Sequence, residues 1–285
     1  MPVRSAAHFF ATIVAATIVT GTVSSSAHSA DASAWDGDTR AGIRLIGGAQ
    51  VTEAGSTLLR AGAEIRLSPG WKTYWRYPGD SGVPPNFDFG KSENVKSVTV
   101  QWPAPQRIVD SEGITIGYKT GVVFPLNVVP LDPNKPVMLR MKLDYAICEK
   151  LCVPAQGQAE LSIKAGGTLA SAIAAAEKAV PRARELGADS PLAVKKVTRE
   201  DGGKLPRILV DVAAPAGAKI DLFAEGPSQD WALPVPEMVE GAPAGLQRFA
   251  FALDGLPPGA NPKGAELKLT VVAGSEAIET TFRLD

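Results

Sequence analysis

Apolar and polar residues alternate with a period of two along most of the chain, the pattern of half-buried β-strands. Leu59, Ala61, Ala63, Ile65 and Leu67 fall on one face, with Arg60, Glu64 and Arg66 on the other. Val98, Val100 and Trp102 alternate with Thr99 and Gln101; Val137, Leu139, Met141, Leu143 and Tyr145 alternate with Arg140, Lys142 and Asp144. Ala159, Leu161 and Ile163 repeat the pattern, and residues 122–129 are nearly continuously apolar. The period then changes. Over 168–180, Leu169, Ala172, Ile173, Ala176 and Val180 recur at helical spacing. This predicts a helix capped by Thr168 and ended by Pro181. Alternation returns after Pro191, in Ile208/Val210/Val212, Phe249/Phe251/Leu253, Leu267/Leu269/Val271 and Ile278/Thr280/Phe282/Leu284. Pro/Gly turns such as 255–259 separate these runs. The pattern predicts an all-β protein of two immunoglobulin-like sandwiches, 33–166 and 191–285, joined by a helical connector at 167–190.

Composition narrows the chemistry. A chain of 285 residues buries a real core and needs no disulfide merely to fold. With 29 basic and 30 acidic residues it has no electrostatic footprint for nucleic acid or an anionic membrane surface. Arg4 followed by the apolar run 9–19 and small residues reads as a signal peptide, with Ala30-Asp31-Ala32 as one cleavage site and Ser25-Ser26-Ala27 as another. The run is too short to span a bilayer. Residues 1–32 are therefore expected to be removed, leaving an exported, periplasmic protein that does not span the membrane. Export also removes His8 and, at the later cut, His28, the two histidines of the chain. The mature protein would then lack Ser-His-Asp and Cys-His catalysis and histidine-based metal sites.

The two cysteines lie in Tyr145-Ala-Ile-Cys148-Glu-Lys-Leu-Cys152-Val-Pro154, directly after an alternating strand. Residues four apart in an extended strand are about 13 Å from each other, whereas a disulfide needs Cα atoms within about 7 Å. If the pair bonds, the segment must turn at the strand end and place both sulfurs at the rim. A ring this small gains only about 2 kcal/mol as a staple, and the flanking Glu149 and Lys150 suit an exposed, exchangeable bond. Lys150 favours a thiolate and Glu149 opposes it. From these residues alone a structural disulfide and a redox-active pair both stand.

Four motifs in order resemble the periplasmic N-terminal region of the DsbD family, most closely its ScsB-like branch. They are Gly70-Trp-Lys-Thr-Tyr-Trp-Arg76, Pro78-Gly-Asp-Ser-Gly-Val-Pro-Pro85, Trp102-Pro103 and Tyr145-x-x-Cys148-x-x-x-Cys152-Val-Pro154. They cover residues 35–165. The resemblance implies an immunoglobulin-like fold and a thiol:disulfide oxidoreductase whose catalytic pair is Cys148 and Cys152. Cys152 would form mixed disulfides with partners and Cys148 would resolve them, with no metal or organic cofactor. The implied electron donor is a thioredoxin-like domain or a DsbD/CcdA-type membrane protein. The implied acceptors are periplasmic disulfide-containing proteins, in settings such as cytochrome c biogenesis or copper tolerance. Tyr74, Tyr145, Glu149 and Lys150 are candidates to line the site, Tyr74 because the family carries tyrosines on the matching strand, whereas Tyr145 alternates with core residues and is expected to pack rather than to act. Trp71 and Trp75 are expected in the core.

Three departures stand out. The cysteine spacing is shorter than in the family's best-known members. The region 105–118, which should match their aromatic cap loop, holds no Phe or Trp. The sequence also carries no membrane or thioredoxin-like part, so separate partners are expected. Asp80, Asp88, Asp110 and Glu112 are read as surface-loop carboxylates, and 113–117 is no phosphate loop. The competing functions are a non-catalytic exported binding or assembly module with a structural disulfide, and a copper-handling thiolate pair. The second is weakened by the missing histidines and by only four methionines.

Overall fold

The computed structural model describes residues 1, 31–53, 56–79, 82–110, 113–163 and 169–285. The expected signal segment falls outside them, except for Met1, Asp31 and Ala32. Those last two already dock on the first sheet: Gly47 N donates to Asp31 O at 2.7 Å, and Ala32 bridges to Ile46.

In chain order the first strands are β1 (Asp36–Gly37), β2 (Ala41–Glu53), β3 (Ser56–Leu67), β4 (Lys72–Gly79), β5 (Asn86–Asp88), β6 (Val95–Val100), β7 (Gln106–Asp110), β8 (Gly113–Tyr118), β9 (Gly121–Pro130), β10 (Val137–Cys148) and β11 (Cys152–Ile163). Helix α1 (Ala170–Lys178) follows. Then come β12 (Arg182–Ala183), β13 (Ala193–Glu200), β14 (Arg207–Ala213), β15 (Ile220–Glu225), β16 (Glu237–Val239), β17 (Leu246–Ala252), β18 (Glu266–Ala273) and β19 (Glu276–Arg283). Four sheets result, in the orders β1-β2-β3-β9-β6, β11-β10-β4-β8-β7 with β5 on β10, β12-β19-β18-β15, and β13-β14-β17-β16.

The alternation explains the layers. Ile43, Leu45, Ala63 and Ile65 of the first sheet and Leu139, Leu143 and Ile147 of the second are buried in one core. Val210, Leu222, Phe251, Leu267 and Leu269 fill the second. Each such aliphatic chain contributes roughly 1.5–3 kcal/mol on burial. Aromatic edges close the first core. Phe124 meets Trp102 at 5.0 Å, Phe87 at 5.2 Å and Tyr118 at 5.6 Å between ring centroids, all edge-on. Trp102 was expected on a strand, but β6 stops at Val100; Pro103, which follows it, has no N–H to extend a ladder.

Helix α1 is shorter than the periodicity predicts. Its first cap is Leu169, without a side-chain hydrogen bond; Thr168 lies outside the described residues. The helix rests on the first sheet through its buried Ile173. Gly48 makes that seat possible: a Cβ there would lie 2.7 Å from Arg60 O and 2.8 Å from Ile173 Cδ1. Arg60 and Glu177 form an ion pair over the same contact. Beyond the helix, β12 pairs in parallel with β19, so part of the expected connector is a strand of the second pair of sheets.

The two pairs of sheets meet through β4 and β7. The Arg76 guanidinium donates to both Glu225 oxygens at 2.8 and 2.7 Å and also pairs with Glu279. Arg107 reaches Asp221 at 3.0 Å and Pro236 O at 2.8 Å. Between these arginines, Phe223 packs on Trp75 with ring centroids 5.9 Å apart. Trp75 is thus buried, as expected of a core residue.

Candidate functional site

Strands β10 and β11 form one long hairpin whose register runs from Val137↔Ile163 to Cys148↔Cys152. Glu149, Lys150 and Leu151 close it. The turn required by the spacing is therefore a hairpin tip, and the cysteines are its last cross-strand pair. Their Cα atoms are 4.1 Å apart and their sulfurs are bonded. Directly opposed antiparallel residues sit about 4.5–5.5 Å apart, so the hairpin itself brings the thiols together.

The two sulfur-bearing residues have different surroundings. Cys148 is 1% exposed and packs with Tyr74 and Ala146. Cys152 is exposed, next to Leu151 at 73%. The Tyr74 hydroxyl lies 3.0 Å from Cys152 Sγ. Burial, reinforced by the Asp110 carboxylate, raises the Tyr74 phenol above its ordinary value, so it stays protonated at neutral pH and can donate to sulfur. Gly82, at φ +145°, lies flat on the Tyr74 ring; a Cβ there would be 2.3 Å from a ring carbon. The glycine lets the backbone approach the tyrosine ring this closely.

Next to the pair are two residues that the sequence reading left out of the site. Lys72 is the register partner of Cys148 across β4 and β10. It is 4% exposed, and its ammonium pairs with Asp110 at the end of β7. Asp110, expected to be a surface-loop carboxylate, is exposed at the end of β7 and also serves as the counter-ion of a buried lysine. The alternation of Lys72, Tyr74 and Arg76 in β4 hinted at a shared face, but nothing in the chain signalled which strand would lie opposite. Beside these residues is an open cleft of about 570 Å³, with Trp71, Lys72, Ile108, Asp110, Lys119 and Glu149 on its walls. Trp71 is only partly buried there, under the Arg40 guanidinium at 5.7 Å.

The remaining candidates separate. Glu149 and Lys150 are exposed in the hairpin tip, with Glu149 against Gly70. Asp88 caps Gly90 N at 2.8 Å, away from the pair; Asp80 and Glu112 lie outside the described residues. Tyr145 does not line the site. It points to the opposite face of β10 from Cys148, into the core, because neighbouring strand residues alternate. Among the described residues no cluster of three or more His, Cys, Asp or Glu side chains is arranged to hold a metal.

Tyr145 instead bears on alkaline stability. Burial, then the Asp38 and Asp36 carboxylates, push its phenol up to about 12 from an ordinary 10.0. A phenol with a raised folded pKa stabilises the fold below pH 10, and that contribution is lost as pH rises to about 12, roughly 2–3 kcal/mol in all. Urea denaturation of the wild type should therefore weaken more steeply between pH 10 and 12 than that of Tyr145→Phe. Parallel pH profiles would contradict it.

The comparisons with known proteins agree with this geometry. Residues 49–163 match the protein family described as thiol:disulfide interchange protein DsbD, N-terminal. The fold is similar to the crystal structure of the N-terminal periplasmic domain of ScsB from Proteus mirabilis, with a TM-score of 0.68. That match has 18% sequence identity and covers 89% of this chain and 98% of the other; at such identity the likeness is one of fold. No curated protein matches the sequence. Among the described residues no helix is long and apolar enough to cross a membrane. The all-β, immunoglobulin-like architecture and the hairpin that carries Cys148 and Cys152 accord with both matches: residues 49–163 are similar to the DsbD N-terminal family, in a chain whose fold is similar to that of the ScsB domain.

Proposed function

We propose that this protein is a periplasmic thiol:disulfide interchange protein that relays reducing equivalents through Cys148 and Cys152. The donor is a thioredoxin-like domain or a DsbD/CcdA-type membrane protein, and the acceptors are periplasmic proteins with disulfides. One observation carries the reading: within a single disulfide, Cys152 is exposed and Cys148 is 1% exposed. A disulfide exchanges when a thiolate reaches one sulfur in line and the other leaves, and here only one end is open. The periplasmic location is supported by the expected export signal and by the periplasmic domain of similar fold. The division into a redox unit at 33–166, a connector at 167–190 and a second sandwich at 191–285 belongs to the same proposal.

The chemistry balances without a cofactor. A donor thiolate attacks Cys152 Sγ, forming a donor–Cys152 disulfide and releasing Cys148 as the thiolate. The donor's second thiol then displaces Cys152, leaving the donor oxidised and this protein with two reduced thiols. In the forward half-reaction the Cys152 thiolate attacks a substrate disulfide. Cys148 then attacks Cys152 Sγ, restoring the ring and releasing the substrate reduced by two electrons. Tyr74 would hold a proton toward Cys152 Sγ while charge develops there.

Equilibration of the pair with a glutathione redox buffer tests the reading. We expect a potential above about −300 mV, where exchange proteins lie, and rapid reduction of the oxidised protein by a thioredoxin-type dithiol. A potential below about −300 mV without exchange would make the bond a structural staple in a non-catalytic module.

A further inference from the structure

We propose that Lys72, held in place by Asp110, is a positioning residue that stabilises the Cys148 thiolate and so sets the redox potential of the pair; this rests on the reading of the pair as exchange-active. Lys72 and Cys148 are direct cross-strand partners between β4 and β10. Their side chains therefore leave the sheet on the same face, with Cβ atoms about 5 Å apart. Lys72 is 4% exposed, an uncommon place for a lysine unless it is paired. Its ammonium is paired, to Asp110, whose own side chain remains 34% exposed. The arrangement buries a lysine side chain that starts beside Cys148 and compensates its ammonium from the rim.

The need for that cation arises when the disulfide opens. Attack at the exposed Cys152 makes Cys148 the leaving sulfur, and Cys148 is buried. Burial in apolar surroundings opposes a thiolate, and a nearby cation favours it. A less basic leaving thiolate leaves faster and makes the disulfide more oxidising. The charged and titratable groups around the pair are Lys72 and Tyr74 on β4, Asp110 on β7, Lys119 after β8, and Glu149 and Lys150 in the hairpin tip. Of these, Lys72 alone combines cross-strand register with Cys148 and burial. Asp110 tempers it, so the two variants should act in opposite directions.

The test compares Lys72→Met, Lys72→Arg and Asp110→Asn in the full chain, each first checked for a wild-type circular dichroism spectrum. The readouts are the pair's equilibrium with glutathione, the rate of reduction by dithiothreitol, and the pH profile of Cys148 alkylation in a Cys152→Ser background. Lys72→Met should disfavour the reduced form about tenfold, equal to about 30 mV for a two-electron couple, slow the reduction and move the alkylation profile to higher pH. Asp110→Asn should shift all three the other way, and Lys72→Arg should stay near wild type. Unmoved readouts, or both charge-removing variants shifting together, would overturn the proposal. If Lys72→Met does not fold, Asp110→Asn decides alone: faster reduction supports the proposal, and unchanged or slower reduction overturns it. A wild-type disulfide that no dithiol reduces would instead refute the exchange reading beneath it.

Discussion

Cys148→Ser is expected to trap partner proteins in a disulfide with Cys152, whereas Cys152→Ser should trap at least tenfold less. The reason is the different exposure of two bonded residues. Cys152 sits at the open end of the hairpin beside exposed Leu151, with the Tyr74 hydroxyl 3.0 Å from its sulfur. Cys148 is enclosed by Tyr74 and Ala146 on one side and by β4 along its length. A mixed disulfide needs in-line approach to sulfur, so the exposed position accepts the partner and the enclosed one resolves it. Without Cys148 the intermediate has no internal thiol to dissolve it and accumulates. Non-reducing gels of the two variants, incubated with a thioredoxin-type partner at equal concentration, measure this directly. Equal trapping by both, or trapping through Cys148 alone, would refute the assignment of roles.

Arg76→Met should cost about 3 kcal/mol, the lower end of the loss seen when one member of a buried ion pair is removed. The guanidinium is 18% exposed and holds Glu225 and Glu279, at 15% and 24%, against each other. Methionine would keep much of the packing over Trp75, which the guanidinium now covers at 4.3 Å, but it leaves two half-buried carboxylates facing one another with Lys268, 3.3 Å from Glu279, as the remaining cation and Glu225 without Arg76. Those carboxylates belong to the second pair of sheets and Arg76 to the first, so the loss falls on the contact between them. Calorimetry should show Tm lowered by about 6–12 °C, at 2–4 °C per kcal/mol, with the melt broadened or split as the units uncouple. Adding Glu225→Gln and Glu279→Gln should recover part of the loss, because the uncompensated charge is then gone. An unchanged melt would mean that Arg107 and the Trp75–Phe223 contact hold the units without Arg76.

Strand β4 links both expected results. Its successive even-numbered residues serve the disulfide and then the interface: Lys72 opposes Cys148, Tyr74 reaches Cys152, and Arg76 clamps the second pair of sheets. The second pair of sheets is therefore fixed to the strand that carries Lys72 and Tyr74. This joins it to the strand beside the disulfide, a place that its own cysteine-free sequence does not suggest.

Much of this architecture was legible in one dimension. A period of two names the buried face of each strand without knowledge of its neighbours, because the pleat alone sets it. That is why Leu139, Leu143, Val210 and Leu267 were expected inside and are inside. The requirement that Cys148 and Cys152 approach within bonding distance likewise demanded a turn, and the turn is the hairpin tip. Helix α1 was visible in its apolar stripe, though its seat depends on Gly48 and Arg60, more than a hundred residues earlier.

The register between strands distant in sequence was not legible. Periodicity is the same whichever strand lies alongside, so it leaves open that β4 pairs with the end of β10 and places Lys72 against Cys148. It also leaves open that Asp110 reaches across to a buried ammonium. Spacing determined that the cysteines could meet; packing against β4 determined that one is enclosed and the other open. That difference in solvent access arises only when the sheet assembles, and the roles proposed for the two cysteines rest on it.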